Sequence, residues 1–232
     1  MDARFAVSFA PRRWSALGRF GRSWLGRDAA TGEAVERFHL PGFTAAELAP
    51  LTAGPARCGW HAALKPPFRL AAGTTPGDLV AFAMSFAAAR LPFEIPGLAL
   101  EASEGSLALV PSAVPPLLAG LAEDCVRVFE PFRAPAEKPE LARARRARLS
   151  PRQTSLLERW GHPFVMEEFR FRMTLARPLR EAEGERMKAA LERPLERLLR
   201  RAVAVDAVVI FVEPAPGEAF RELRRIPFAG AG

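Results

Sequence analysis

Tyrosine is absent from the 232 residues, lysine occurs only at positions 65, 138 and 188, and cysteine only at 58 and 125. Two cysteines that far apart, with no Cys-x-x-Cys pair, build neither a disulfide framework nor a zinc knuckle, so both read as free thiols in a reducing cytosol. Long apolar runs are scarce as well. Residues 79–89 make a run of eleven, against the ~20 that a bilayer-crossing helix needs, and residues 5–10 are too few for the ~7–15-residue core of a secretory signal. A cytoplasmic protein without a membrane partner is expected. The sequence has no Gly-rich phosphate loop, no cluster of His, Cys and carboxylate residues at metal-ligand spacing, and no nucleophile elbow. Kinase, zinc-hydrolase and serine-hydrolase chemistry lack their residues, and neither a metal nor a cofactor is expected.

What is present is material for a packed core. With 49% hydrophobic and 25% charged residues the chain has globular proportions, which exclude disorder as its main state, and its length suits one large domain or two closely packed lobes. Basic residues outnumber acidic ones by 33 to 26, a formal charge of +7. Nearly all of that basic count is arginine. With alanine abundant too, the bias reads first as genomic base composition and a solvated surface, although such a surface does favour anions. The densest run, Arg143-Ala144-Arg145-Arg146-Ala147-Arg148 with Arg152 beyond it, has no interleaved aromatic on which bases would stack. A solvated helix is preferred there to an RNA-binding element.

Three stretches alternate with period two. In residues 4–10 Phe5, Val7 and Phe9 form an apolar face, and Pro11 ends the strand. In residues 57–65 the polar face carries Arg57, His61, Ala63 and Lys65, with Pro66-Pro67 as the stop. Residues 168–175 turn Phe169, Phe171, Met173 and Leu175 inward and Glu168, Arg170, Arg172 and Thr174 outward. The last two stretches look like copies, because residues 60–69 align without gaps with residues 171–180 at an offset of 111. A helix and then a strand are expected after each. Thr75-Pro76-Gly77-Asp78 opens the first helix, with Leu79, Phe82 and Phe86 as its apolar stripe. Met187, Leu191, Leu195 and Leu198 form the second stripe, which Pro194 should kink or interrupt, and residues 203–212 read as one buried strand. A strand at 105–110 and helices at 117–129 and 151–160 complete the elements, while 26–55, 132–139 and 213–232 read as loops or a surface tail. The expected fold class is α+β. One two-lobed domain spans 1–232, each lobe an antiparallel sheet with helices, with repeat copies at roughly 57–102 and 168–213. A pseudo-twofold axis relates the lobes around a central cleft in which His61 and Arg172 would meet.

The residues also carry a family resemblance. Cys-Gly-Trp-His-Ala-Ala-Leu-Lys-Pro-Pro-Phe at 58–68, Leu-Ser-Pro-Arg-Gln at 149–153, Arg-Trp-Gly-His-Pro-Phe at 159–164 and Glu-Phe-Arg-Phe-Arg-Met-Thr-Leu at 168–175 resemble the bacterial DUF1045 phosphonate-metabolism family. The opening Arg-Phe-Ala-Val-Ser-Phe-Ala-Pro and the segment Phe-Glu-Pro-Phe-Arg-Ala-Pro at 129–135 fit the same pattern, so the likeness covers nearly the whole chain. That family resembles a branch of the 2H phosphoesterase superfamily, relatives of the RNA ligase-type cyclic phosphodiesterases, whose paired strands carry two His-x-Thr/Ser motifs. The resemblance implies metal-free hydrolysis of a cyclic or 2′,5′-type phosphodiester. One imidazole would deprotonate water, the other would protonate the departing oxygen, and the hydroxyls would bind the phosphate.

Both motifs depart from that pattern. His61-Ala62-Ala63 keeps the imidazole but has a methyl in place of the hydroxyl, and Arg172-Met173-Thr174 keeps the hydroxyl but has a guanidinium in place of the imidazole. Arginine, with a pKa above ~12, cannot shuttle protons but can grip a phosphate through two hydrogen bonds. His61 is then the remaining catalytic acid/base, and Arg172 and Thr174, with Lys65, bind the phosphate of a small phosphoester of ribosyl cyclic phosphate type. His162 follows a helix-ending glycine and is not aimed at the cleft. A lost acid or base costs ~10²–10⁴ in rate, whereas a well-placed arginine contributes ~10³–10⁵. A working hydrolase and a catalytically lapsed module that binds a phosphoester or an RNA end therefore both stay open.

Overall fold

The computed structural model describes residues 3–136 and 149–230; the arginine run at 143–148 lies outside them. In chain order the elements are β1 (Arg4–Phe9), α1 (Ala16–Leu25), α2 (Ala45–Cys58), β2 (Ala62–Arg69), α3 (Pro76–Ala88), β3 (Phe93–Ile95), β4 (Leu98–Ser103) and β5 (Ser106–Pro111). There follow α4 (Pro116–Val128), α5 (Pro151–Trp160), β6 (Met173–Ala176), α6 (Glu181–Leu199), β7 (Val203–Val205), β8 (Ala207–Glu213) and β9 (Arg221–Pro227). The fold is mixed α+β. Its strands form sheets of order β2-β1-β8-β9, β4-β5-β6 and β3-β7, and every pairing is antiparallel.

The helices begin where side chains take over the unpaired N–H groups of a first turn. Thr44 with Glu47, Thr75 with Asp78 and Ser150 with Gln153 close reciprocal capping boxes, and Ser15 caps α1 alone. The main core takes Phe5, Val7 and Phe9 from β1, Leu107 and Leu109 from β5, Met173 and Leu175 from β6, and Met187, Leu191 and Leu195 from α6. The two larger sheets therefore bury their apolar faces in one cluster. Helix α1 ties them together: Trp60 Nε1 donates to the Leu17 carbonyl at 3.1 Å, and Trp24 Nε1 donates to the Leu175 carbonyl at 2.9 Å. A Cβ on Gly21 would lie 2.0 Å from the Trp60 indole, so this contact requires glycine.

Several expectations need correction. Residues 26–55 are not all loop, because α2 forms over Ala45–Cys58 around Pro50 and Pro55. It places Arg57 in a last helical turn instead of on a strand. Pro66-Pro67 do not stop β2, which runs to Arg69 as an edge strand beside β1 with register shifts, where missing donors are tolerated. The third alternating stretch pairs only over Met173–Ala176, preceded by a 3-10 turn at Met166–Glu168. Helix α6 runs through Pro194 without interruption. The expected strand at 203–212 divides at the buried Asp206, so that β7 pairs with β3 and β8 with β1. The carboxyl end is no surface tail: β9 pairs with β8 along its length.

Candidate functional site

Strand β6 turns Met173 and Leu175 into the core and leaves Arg172 and Thr174 half-buried on the other face. Beside them lies an open cleft of about 680 Å³, lined by Arg57, Ser106, Arg172, Thr174 and Arg177 among others. Ser103 and Ser106, at the ends of the β4–β5 hairpin, are cross-strand partners, and the hairpin brings them beneath the Arg172 guanidinium. Arg172 Nη1 donates to Glu101 and, at 3.0 Å, to Ser103 Oγ, while Nη2 donates to Ser106 Oγ at 3.0 Å. Three of its five N–H donors are occupied, which fixes the guanidinium plane and leaves two donors available. Among the described residues Arg57 and Arg177 have no carboxylate partner. Glu104 also lines the cleft and pairs with Arg170 at 3.1 Å. Three guanidiniums with the hydroxyls of Thr174 and Ser106 suit a phosphate group, which takes bidentate donors from arginine.

Sequence reasoning did not single out Arg177 or Ser106. Arg177 follows the last strand residue of β6, where period two no longer applies, and the Leu51 carbonyl of α2, which accepts from its backbone N–H at 2.8 Å, holds it in place. Ser106 becomes relevant only through the hairpin. No local pattern announces either residue.

His61 is absent from the cleft lining. Its ring stacks on Phe211, with centroids 4.8 Å apart. Gly59, in the left-handed region at φ 86, lets the backbone pass close by; a Cβ there would meet Phe211 at 3.3 Å. The Nδ1 atom lies 3.1 Å from the Gly59 carbonyl, which assigns the proton to Nδ1 and leaves the Nε2 lone pair open. Burial lowers the imidazole pKa to about 4, only partly opposed by the backbone contacts to Gly59 and Cys58. At neutral pH the ring is uncharged and a weak base. His162 is likewise lowered to about 4 by burial, and its Nδ1 accepts the Phe164 N–H at 3.2 Å.

Lys65 does not share a face with Ala63. Ala63 sits opposite Ser8 on β1, but Lys65 sits opposite Val7, with a register shift between them. Directly opposed residues share a face, so the extra residue sends Lys65 to the other side of the sheet. There it is buried, and its Nζ donates to the Val126 carbonyl at 3.0 Å and to Glu130 at 2.8 Å. Burial lowers the Lys65 pKa, and Glu130 partly restores it. Lys65 thus anchors α4 to β2 and is not a residue of the Arg172 cleft. No group of three or more potential metal ligands occurs among the described residues.

Comparison with known proteins comes in two parts. A family profile described as "Protein of unknown function (DUF1045)" matches residues 63–221. A protein of Janthinobacterium sp. (strain Marseille), named ribose 1,5-bisphosphate phosphokinase PhnN, is 39% identical over 233 residues, which cover 99% of this chain and 51% of that protein. One of the same name from Laribacter hongkongensis (strain HLHK9) is 33% identical over 229 residues, covering 99% of this chain and 53% of its own length. The chain spans about half the length of the curated relatives it matches.

Proposed function

Given that the chain belongs to the DUF1045 family, we propose that it recognises a phosphorylated ribose, of the cyclic phosphodiester type, in bacterial phosphonate metabolism. The single observation that carries this reading is the cleft in which Arg57, Arg172 and Arg177 stand with Thr174 and Ser106. The names of the two relatives point to ribose phosphates as the ligand class. Their phosphokinase activity is not carried over, because none of the three lysines here follows a glycine as a phosphate loop requires.

The likeness to 2H phosphoesterases draws support from the order of elements. The run β1, α1 and α2, β2, α3, β3, β4 is followed by β5, α4 and α5, β6, α6, β7, β8. Each run lends its last strand to the other's sheet, giving β2-β1-β8 and β6-β5-β4, and the equivalent short strands β3 and β7 pair antiparallel. A duplicated unit about a pseudo-twofold axis would produce that exchange. Recognition is favoured over turnover because the cleft lining holds three guanidiniums and no imidazole.

The test is titration of the whole chain with a ribosyl cyclic phosphate, alongside an assay for ring opening. Arg172→Gln is expected to weaken binding at least ~10-fold, the loss of a charge-assisted hydrogen bond of ~1.5–3 kcal/mol. Turnover by the native chain that His61→Ala abolishes would overturn the preference for binding and restore the hydrolase.

A further inference from the structure

A second group of arginines lies between α1, the turn that follows it and β9. Arg13, Arg22, Arg27 and Arg225 rim a pocket of about 90 Å³ floored by Trp60 and Phe211, and none of its lining residues belongs to the Arg172 cleft. Its charges do not balance. Asp28, buried, accepts from Arg13 Nε at 2.7 Å and from Arg22 Nη1 at 3.0 Å. Asp206, also buried, holds Arg12 and, at 3.0 Å, Arg225. Each carboxylate serves two guanidiniums. Among the described residues Arg27 has no carboxylate in hydrogen-bond contact and donates instead to the carbonyls of Ala56 and Phe220; burial and the nearby Arg221 push its pKa down. Glu222 lines the same pocket with no hydrogen bond to its carboxylate among the described residues, yet the lining still sets four arginines against two acids. A surplus of partly desolvated cations is costly unless an anion compensates it.

A second observation concerns Trp14. It is 64% exposed and belongs to no core cluster. The guanidinium carbons of Arg13 and Arg22 lie 4.8 and 4.5 Å from its ring centroid. This exposed indole orders two arginine planes at the pocket rim. Arg22 Nε is also buried without a hydrogen-bond partner, a state that in native structures points to a bound water or ion outside the protein atoms.

We propose that this pocket binds a small tetrahedral oxyanion, with orthophosphate as its reference ligand, gripped by Arg13, Arg22 and Arg27. The volume suits the free ion. At ~30 Å³ for each water, the space is that of about three waters.

Calorimetric titration of the whole chain with inorganic phosphate, at constant ionic strength, tests the assignment. Arg13→Gln should weaken phosphate binding at least ~10-fold. Glu222→Gln, which removes a repelling carboxylate and no hydrogen bond, should tighten it roughly 3-fold or more. In an Arg172→Gln chain, whose phosphoester cleft is disabled, binding that still responds to Arg13→Gln and Glu222→Gln should remain, so that this site and the cleft can fail separately. Absence of binding at millimolar phosphate would overturn the proposal. Indifference of the affinity to Glu222→Gln would overturn it too, and that variant decides alone if Arg13→Gln does not fold. Ribose 5-phosphate binding tighter than orthophosphate, with the same response to Arg13→Gln, would overturn the assignment to the free ion.

Discussion

The segments around His61 and Arg172 align residue for residue in sequence, yet their polar side chains meet opposite fates. On β6 Arg172 and Thr174 open on a cleft beside Arg57 and Arg177, and a register shift falls between Thr174 and Ala176. On β2 the shift falls at the equivalent place, between Ala63 and Lys65, so the copies differ in the side chain it carries inward, Lys65 here and Ala176 there. His61 lies against Phe211, and Lys65 crosses the sheet to be buried with Glu130. One added residue moves a side chain to the other face, because the strand period is two. The same irregularity therefore buries a small apolar residue in one copy and a structural anchor in the other. The polar chemistry of β2 should act on stability, and that of β6 on binding.

The largest expected effect breaks the anchor. Glu130→Ala leaves the Lys65 ammonium, whose side chain is 3% exposed, without its carboxylate. Removing one partner of a buried pair costs about 3–5 kcal/mol, and the partial exposure of Glu130 places the expectation near the lower end. Lys65→Met removes the charge while keeping the length, and should cost less than half as much, since Glu130 retains Arg133 at 2.5 Å. Neither variant should alter ligand affinity in the Arg172 cleft. Urea midpoints measured beside binding isotherms check both statements. A Lys65→Met chain that folds normally but loses the ligand would return Lys65 to the phosphate site.

An intermediate effect comes with pH. The folded-state pKa of His61 is about 4, below its ordinary 6.5, so the unfolded chain binds the proton first. The stabilisation is complete above pH ~6.5 and declines as pH falls toward 4, by at most ~1.4 kcal/mol per unit for one such group. His162, lowered to about 4 in the same way, contributes over the same window. His61→Gln and His162→Gln should each remove a comparable share of the slope between pH 6.5 and about 5, below which carboxylates lowered in the fold, such as Glu130 and Glu183, add their own. A slope unchanged by His61→Gln would mean that the ring is far more hydrated than its stacking on Phe211 implies.

This contrast also shows what a single sequence could disclose. The apolar phases of β1 and of the stripe on α6 were legible, because burial selects large side chains at fixed spacing; Phe5, Val7, Met187 and Leu191 are all in the core, as are Leu79 and Phe86 of α3, whereas Phe82 of the α3 stripe is exposed. Capping residues disclosed the starts of α3 and α5. Helix α1 and the interior of α2 were not legible, since glycines and prolines that usually break helices lie inside them, and Gly21 is explained only by the indole pressed against it. Strand β9 reads Arg-Glu-Leu-Arg-Arg-Ile-Pro, and only its pairing with β8 makes it a strand. At the cleft, Arg172 and Thr174 were legible from alternation, whereas Arg177 and Ser106 depend on tertiary neighbours. The shift at Lys65 leaves no local mark, because it is a property of two strands.

The smallest effect belongs to the turn beside the cleft. Glu104 and Gly105 form the two-residue connection between β4 and β5, with φ of 51 and 68. A hairpin turn with both central residues at positive φ favours Asn-Gly, and a longer side chain at the first position is strained. Glu104→Asn should therefore stabilise the fold by about 0.5 kcal/mol, within the gain usual for a better turn residue. Its loss of the ion pair with Arg170 should cost little, since both side chains are more than half exposed. The same substitution removes the one carboxylate in the cleft lining that holds Arg57, Arg172 and Arg177, so phosphoester affinity should rise by roughly 2- to 3-fold at low salt and converge with that of the native chain as salt screens the charges. Thermal midpoints and titrations at two ionic strengths measure both. A more stable hairpin with weaker binding would show that Glu104 touches the ligand directly, giving the β6 copy an acid/base group of its own in place of the imidazole it lacks.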